Sequence, residues 1–171
     1  MIARLLFVAA ALLLAACSGT PDPSAPSGGT IRPDASGLAI EGSPLRIDFG
    51  RTRDSTLAAV TRLMGAAPSS QVSNPECGAG PTLIVEYDGL DLLFQQDAFR
   101  GWVADGAGIV TANGLRPGTT RTALEASGAG PFEATTLGVE FETGGVFGLL
   151  PDGTQDAELQ LLWAGTSCFF R

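Results

Sequence analysis

The chain contains no histidine and no lysine: all 10 of its basic residues are arginines, set against 18 aspartates and glutamates, for a formal charge of −8. Without histidine there is no imidazole to act as general base or metal ligand near neutral pH. Without lysine there is no amine to form a Schiff base. A G-x-S-x-G nucleophile elbow is missing too. The glycine pairs Gly78 and Gly80, Gly106 and Gly108, and Gly128 and Gly130 do not extend into the G-x-G-x-x-G of a dinucleotide site. These absences argue against an enzyme, and neither a cofactor nor a metal is expected. The acid excess argues against nucleic acid and anionic lipid headgroups as partners, because both require a basic footprint.

What is present begins at the N-terminus. Arg4 precedes an apolar run from Leu5 to Leu14, and the small residues Ala15 and Ala16 lead into Cys17, the order of parts in a secretory signal. The run is shorter than the ~20 residues a membrane-spanning helix needs. Leu14-Ala15-Ala16-Cys17 resembles the lipobox of bacterial lipoproteins. The resemblance implies that residues 1–16 are a removed signal peptide and that Cys17 carries a diacylglyceryl thioether, with an amide-linked acyl chain such as palmitate as a further possibility. At roughly 0.8 kcal/mol per buried methylene, two or three such chains anchor a protein stably in a lipid bilayer. It also implies a periplasm-facing location, at the outer membrane in a two-membraned bacterium, because Ser18 replaces the Asp that retains lipoproteins at the inner membrane. The competing reading is an ordinary secretory signal with a chance cysteine.

Residues 17–37 are rich in proline, serine and glycine, with Pro21, Pro23, Pro26 and Pro33 among small polar residues. Such a stretch buries too little apolar surface to offset its ordering entropy, so it is read as a disordered tether with an r.m.s. span of roughly 25 Å. The remaining 171 − 37 = 134 residues, 38–171, suit a single domain. Beyond Cys17 only Cys77 and Cys168 remain. In an oxidising compartment they are expected to pair. A thiol pair for metal would need further ligands, and a redox pair would favour C-x-x-C.

Within the domain, Val85-Glu86-Tyr87-Asp88-Gly89-Leu90 is echoed by Val139-Glu140-Phe141-Glu142-Thr143-Gly144. Each copy follows a helical run ending at glycine and precedes a Trp-bearing strand. The pattern predicts a helix over Asp54 to Met64 and strands over Leu45 to Phe49, Leu83 to Tyr87, Leu90 to Gln95 and Phe99 to Ala104. It then predicts a helix over Thr120 to Ser127 and strands near Thr135 to Phe141, Val146 to Leu150 and Ala157 to Ala164. The expected fold class is α+β: two tandem helix-then-antiparallel-meander units, about 45–105 and 108–171, forming one sheet with helices packed on one face.

The helix start Gly118-Thr119-Thr120-Arg121-Thr122-Ala123-Leu124, followed by Gly128, resembles that of BamE-like (SmpA/OmlA) outer-membrane lipoproteins. The tandem order resembles the β-lactamase-inhibitor-protein fold. In the first unit, Thr52 to Val60 is about one helical turn longer than the pattern. Cys77 to Pro81 and Trp163 to Cys168 resemble segments of uncharacterised small lipoproteins. These resemblances imply protein binding through the open face of the sheet.

Strand alternation assigns Leu83, Val85, Tyr87, Leu90, Leu92, Phe94, Phe99 and Val103 to the core side. Trp163 joins the core through its parity with Leu159 and Leu161. The opposite side then carries Glu86, Asp88, Asp91, Leu93, Arg100 and Trp102, with Glu140 and Glu142 from the second unit. An aromatic, an arginine and acids on one face make a recognition surface, so the expected partner-binding face is Trp102, Arg100, Leu93 and Glu86. A solvated face with Trp102 tucked under a loop or the tether is the plainer alternative. The paired acids Glu86 with Asp88, and Glu140 with Glu142, lack the cleft of a glycosidase and the oxygen-rich loop of a calcium site. The expectation is a non-catalytic lipoprotein that binds an envelope protein or serves an envelope complex; the alternative is binding of a small molecule or envelope glycan.

Overall fold

The structure is a computed structural model in which residues 29–168 are described. The expected signal peptide, the lipidated Cys17 and the tether up to residue 28 lie outside the described residues. The chain opens with three short strands, β1 (Ile31–Asp34), β2 (Gly37–Ile40) and β3 (Arg46–Asp48), then a helix, α1 (Arg53–Met64). Four strands follow: β4 (Ser70–Asn74), β5 (Thr82–Tyr87), β6 (Leu90–Gln95) and β7 (Ala98–Ala104). A second helix, α2 (Arg121–Ala126), leads to β8 (Phe132–Ala134), β9 (Val139–Thr143), β10 (Val146–Leu150) and β11 (Leu161–Gly165). The strands make a three-stranded sheet, β1-β2-β3, and an eight-stranded antiparallel sheet in the order β4-β5-β6-β7-β11-β10-β9-β8.

This overturns the expected α+β class and its two helix-then-meander units. The protein is mostly β, and its helices are 12 and 6 residues long. Three features had no place in that scheme. β1 and β2 lie in or just beyond the stretch read as tether, so described residues from 31 onward belong to the fold. β4 lies between the expected helix and the strand expected from Leu83, where no element was expected, and β8 precedes the strand expected near Thr135. β1, β4 and β8 are edge strands, and β2 is the centre of the small sheet. Ser-Gln-Val-Ser-Asn in β4 has one apolar residue, because a strand paired on one side and solvated around it needs no apolar alternation to form.

Local chemistry explains the elements that were expected. β5, Thr-Leu-Ile-Val-Glu-Tyr, is rich in β-branched residues. The β6–β7 turn places Gln96 and Asp97 at φ 49° and 61°, and the β9–β10 turn uses Gly144 and Gly145 at 60° and 79°. Positive φ at both central residues matches the twist of a two-residue hairpin. α1 ends where Gly65 adopts φ 70° and donates its N–H to Thr61 O. α2 starts where the Thr120 hydroxyl accepts from Ala123 N at 3.3 Å.

The core lies on one face of the large sheet. Val85, Tyr87, Leu90, Leu92, Phe99 and Trp102 meet Val60 of α1, Leu124 of α2 and Ile31, Leu38 and Ile47 of the small sheet. The Tyr87 and Thr61 hydroxyls are hydrogen-bonded at 3.0 Å. The small sheet is closed by an ion pair between Arg46 and Asp34 at 2.8 Å. Burial works to raise the Asp34 pKa, but the Arg46 guanidinium and backbone N–H groups outweigh it and leave the carboxyl below its ordinary value.

One irregularity inverts part of the expected face assignment. Leu92 pairs with Trp102 and Leu93 with Gly101, but Phe94 pairs with Phe99, so Arg100 is an extra residue in β7. This β-bulge resets the alternation. Phe99 and Trp102 therefore both face the core, while Val103 lies opposite Asp91 on the other side. Trp102 is fully buried, and its indole N–H donates to Asp34 O at 2.8 Å. Trp102 is thus not exposed to a partner, and it lies on the core side of the sheet, not on the open face where both sequence readings placed it. Trp163 is buried, as expected, but on the other face: Leu162 enters the main core, while Trp163 pairs with Val103 and stacks on Phe147 with centroids 5.6 Å apart.

Candidate functional site

The four residues expected to form one recognition face are not brought together. Trp102 lies in the core. Leu93 is on the face opposite the core but is buried beside Gly101. Glu86 is half-buried and accepts a 2.6 Å hydrogen bond from the Ser70 hydroxyl. Arg100 alone is exposed.

The acids fare similarly. Asp88 sits exposed beside the β5–β6 turn. Glu140 accepts from the Thr135 hydroxyl at 2.9 Å, and Glu142 accepts from Gly145 N. Asp91, directly opposite Glu86 in the sheet, has a carboxyl pushed up to about 6 by burial first, and then by the negative charges of Glu86 and Asp105. No group of three His, Cys, Asp or Glu placed to hold a metal occurs among the described residues.

The surroundings of Arg100 are built by the bulge and the disulfide. Cys77 and Cys168 are bonded, with Cα atoms 5.0 Å apart. To reach Cys77, the chain leaves β11 at Gly165 and crosses directly over Gly101. A Cβ on Gly101 would come within 2.1 Å of Thr166 O, so only glycine permits the crossing. Thr166 N then donates to Arg100 O at 2.8 Å. On the other side, the loop after Cys77 turns back on itself through a bond from Gly80 N to Cys77 O at 2.8 Å. The Gln95 side-chain amide fixes this loop to the sheet, donating to Ala79 O at 2.9 Å and to Thr82 Oγ1 at 3.0 Å.

Between these two fastened segments lies a recess of about 390 Å³ lined by Ala79, Gly80, Pro81, Gln95, Gln96, Arg100 and Thr166. Its lining contains one charge, the Arg100 guanidinium, and no carboxylate. No acid among the described residues pairs with Arg100. A second recess of about 220 Å³ shares Pro81 and Gln96 with the first. Its arginine, Arg53, is bound to Asp97 at 3.3 Å and to Asp54. The first recess thus presents a free fork of N–H donors, which suits a carboxylate or another planar anion. Sequence reasoning singled out Arg100 but missed Gln95 and the Ala79–Pro81 loop. The Cys-Gly-Ala-Gly-Pro run, small residues beside a pairing cysteine, was the available signal.

Compared with known proteins, the chain matches no protein-family model, no curated protein and no solved structure.

Proposed function

We propose that the protein is a non-catalytic binding module of the bacterial cell envelope, held at the membrane through acylated Cys17, which recognises a partner protein through the Arg100 recess. The observation that carries the recognition site is the state of Arg100. In a chain with 18 acidic residues, the guanidinium stands exposed, with no acid partner among the described residues, in a recess whose walls are fastened by a disulfide and a side-chain amide. Walls already ordered before binding reduce the entropic cost of association. An Arg in such a place is the kind of residue on which interface energy concentrates. The anchor is supported by the lipobox-like Leu14-Ala15-Ala16-Cys17.

The test is capture of the full-length protein from gently solubilised native membranes, wild type beside Arg100→Ala and Arg62→Ala. Arg62 is likewise exposed, with no acid partner among the described residues, and controls for loss of one positive charge. A stoichiometric partner retained by Arg62→Ala and lost with Arg100→Ala supports the reading. A partner that Arg100→Ala still retains removes the site. No partner at all, together with a thermal shift on adding an envelope glycan, favours the small-ligand alternative.

A further inference from the structure

The two sheets present four edge strands among the described residues, and three of them are protected against pairing. β1 contains Pro33, which has no N–H, between charged Arg32 and Asp34. β3 carries Arg46 and Asp48, ion-paired at 2.8 Å. β8 is three residues long and carries Glu133. Short length, charge and proline are the usual devices that stop an edge from recruiting another strand.

β4 has none of them. Ser70-Gln71-Val72-Ser73-Asn74 is five residues without a charge or a proline, in a chain of formal charge −8. At its centre Val72 is 49% exposed, one of only three large apolar side chains so exposed among the described residues. The polarity of the edge follows from the ladder. The Glu86 carbonyl accepts from Ser69 N at 2.8 Å, so it points toward β4, as do those of Ile84 and Thr82 by alternation. Their partners Ser70, Val72 and Asn74 therefore spend their backbone groups on β5. Gln71 and Ser73 direct their N–H and C=O groups away from the sheet.

From this geometry we infer that β4 is a self-association edge whose partner is β4 of a second copy of this chain, antiparallel and centred on Val72. The strand is complementary to itself in that register. Gln71 of one copy exchanges both backbone bonds with Ser73 of the other, and the reverse, while the two Val72 residues meet as a non-hydrogen-bonded pair, where side chains approach most closely. Val72 lies in one cross-sheet row with Ile84 and Leu93, so the junction joins two apolar rows end to end. No like charges face each other across β4, since the strand carries none. Pro68 and Pro75 bound the strand, and the twofold arrangement uses up the edge. The assembly therefore closes at two copies.

Position 72 provides the test, because a residue on the twofold axis faces its own copy. In full-length protein in native membranes, Val72→Cys is expected to oxidise to a disulfide-linked dimer that reduction reverses, since non-hydrogen-bonded partners lie near disulfide spacing. Leu45→Cys, which is exposed on another part of the surface, is not. Independently, two differently tagged copies of the otherwise wild-type chain are expected to be captured together, and Ser73→Pro, which removes an outward N–H, to abolish this. Dimer from Val72→Cys no greater than from Leu45→Cys, or co-capture unaffected by Ser73→Pro, overturns the inference. So does a different protein found seated along β4 in place of a second copy.

Discussion

Single residues carry both the main error and the main opportunity in this chain. Trp102 had every compositional mark of a surface anchor, and one inserted residue, Arg100, turned it inward. Counting alternation from Phe99 cannot detect a bulge, since the extra residue has no chemical signature of its own. Asp91 shows the reverse case, a charged residue placed on the correct side but in a costly environment. Its carboxyl titrates at about 6 in the folded chain against an ordinary value of 3.8. A raised folded pKa means that the native state binds the proton more tightly than the unfolded state does. Asp91 therefore contributes stability below about pH 4 and loses it as pH rises through about 6. Asp91→Asn is expected to raise the thermal midpoint at pH 7.5 and to leave it nearly unchanged at pH 4. A midpoint difference that does not shrink between those two pH values would refute the assignment.

At the scale of elements, the segment over Gly101 holds the candidate site together. Gly101→Ala places a methyl group against the Thr166 carbonyl, and overpacking against backbone costs about 1–3 kcal/mol. The control is Gly108→Ala, since a Cβ there meets nothing within 4 Å. A lowered urea midpoint for the first with little change for the second is expected. Equal midpoints would mean that the crossing segment yields freely. The elements themselves were legible in proportion to how fully their chemistry is local. The expected helix over Asp54 to Met64 and strands over Leu83 to Tyr87 and Leu90 to Gln95 are found nearly residue for residue, because apolar periodicity and turn residues both mark them. β1, β4 and β8 were missed because edge strands are stabilised by neighbours distant in sequence. Of the site, Arg100 and the cysteine pair were readable. The recess was not, because its shape depends on a crossing that only the folded sheet creates.

Across the whole molecule, the disulfide ties the β4–β5 connection to the segment after β11, bridging 91 residues. On the chain-entropy account, a loop of that length is worth roughly 4–5 kcal/mol, which is comparable to the total stability of many domains. Cys168→Ser is expected to lower the unfolding free energy by an amount of that order. Because Thr166 is a wall of the recess, it should also weaken partner capture under conditions where the fold survives. Stability loss with capture intact would separate the recess from the C-terminal crossing.

The β1–β2 hairpin has a mechanical meaning as well. Tension on the chain ahead of residue 29 enters the fold at Ile31, at the open end of an antiparallel hairpin whose other strand continues into β3. Pulled there, backbone bonds load one pair at a time from Ile31 and Ile40 toward Asp34 and Gly37, an unzipping geometry that gives way at low force. At that end the hairpin is further fastened by the Trp102 indole on the Asp34 carbonyl, by Arg46 on the Asp34 carboxylate and by Phe49 N on Ser36 O. Under the proposed anchor at Cys17, stretch on the chain would uncover Leu38, Ile47 and Trp102 before it opened the ladders of the eight-stranded sheet, so the indole of Trp102 would report that force by a change in its fluorescence.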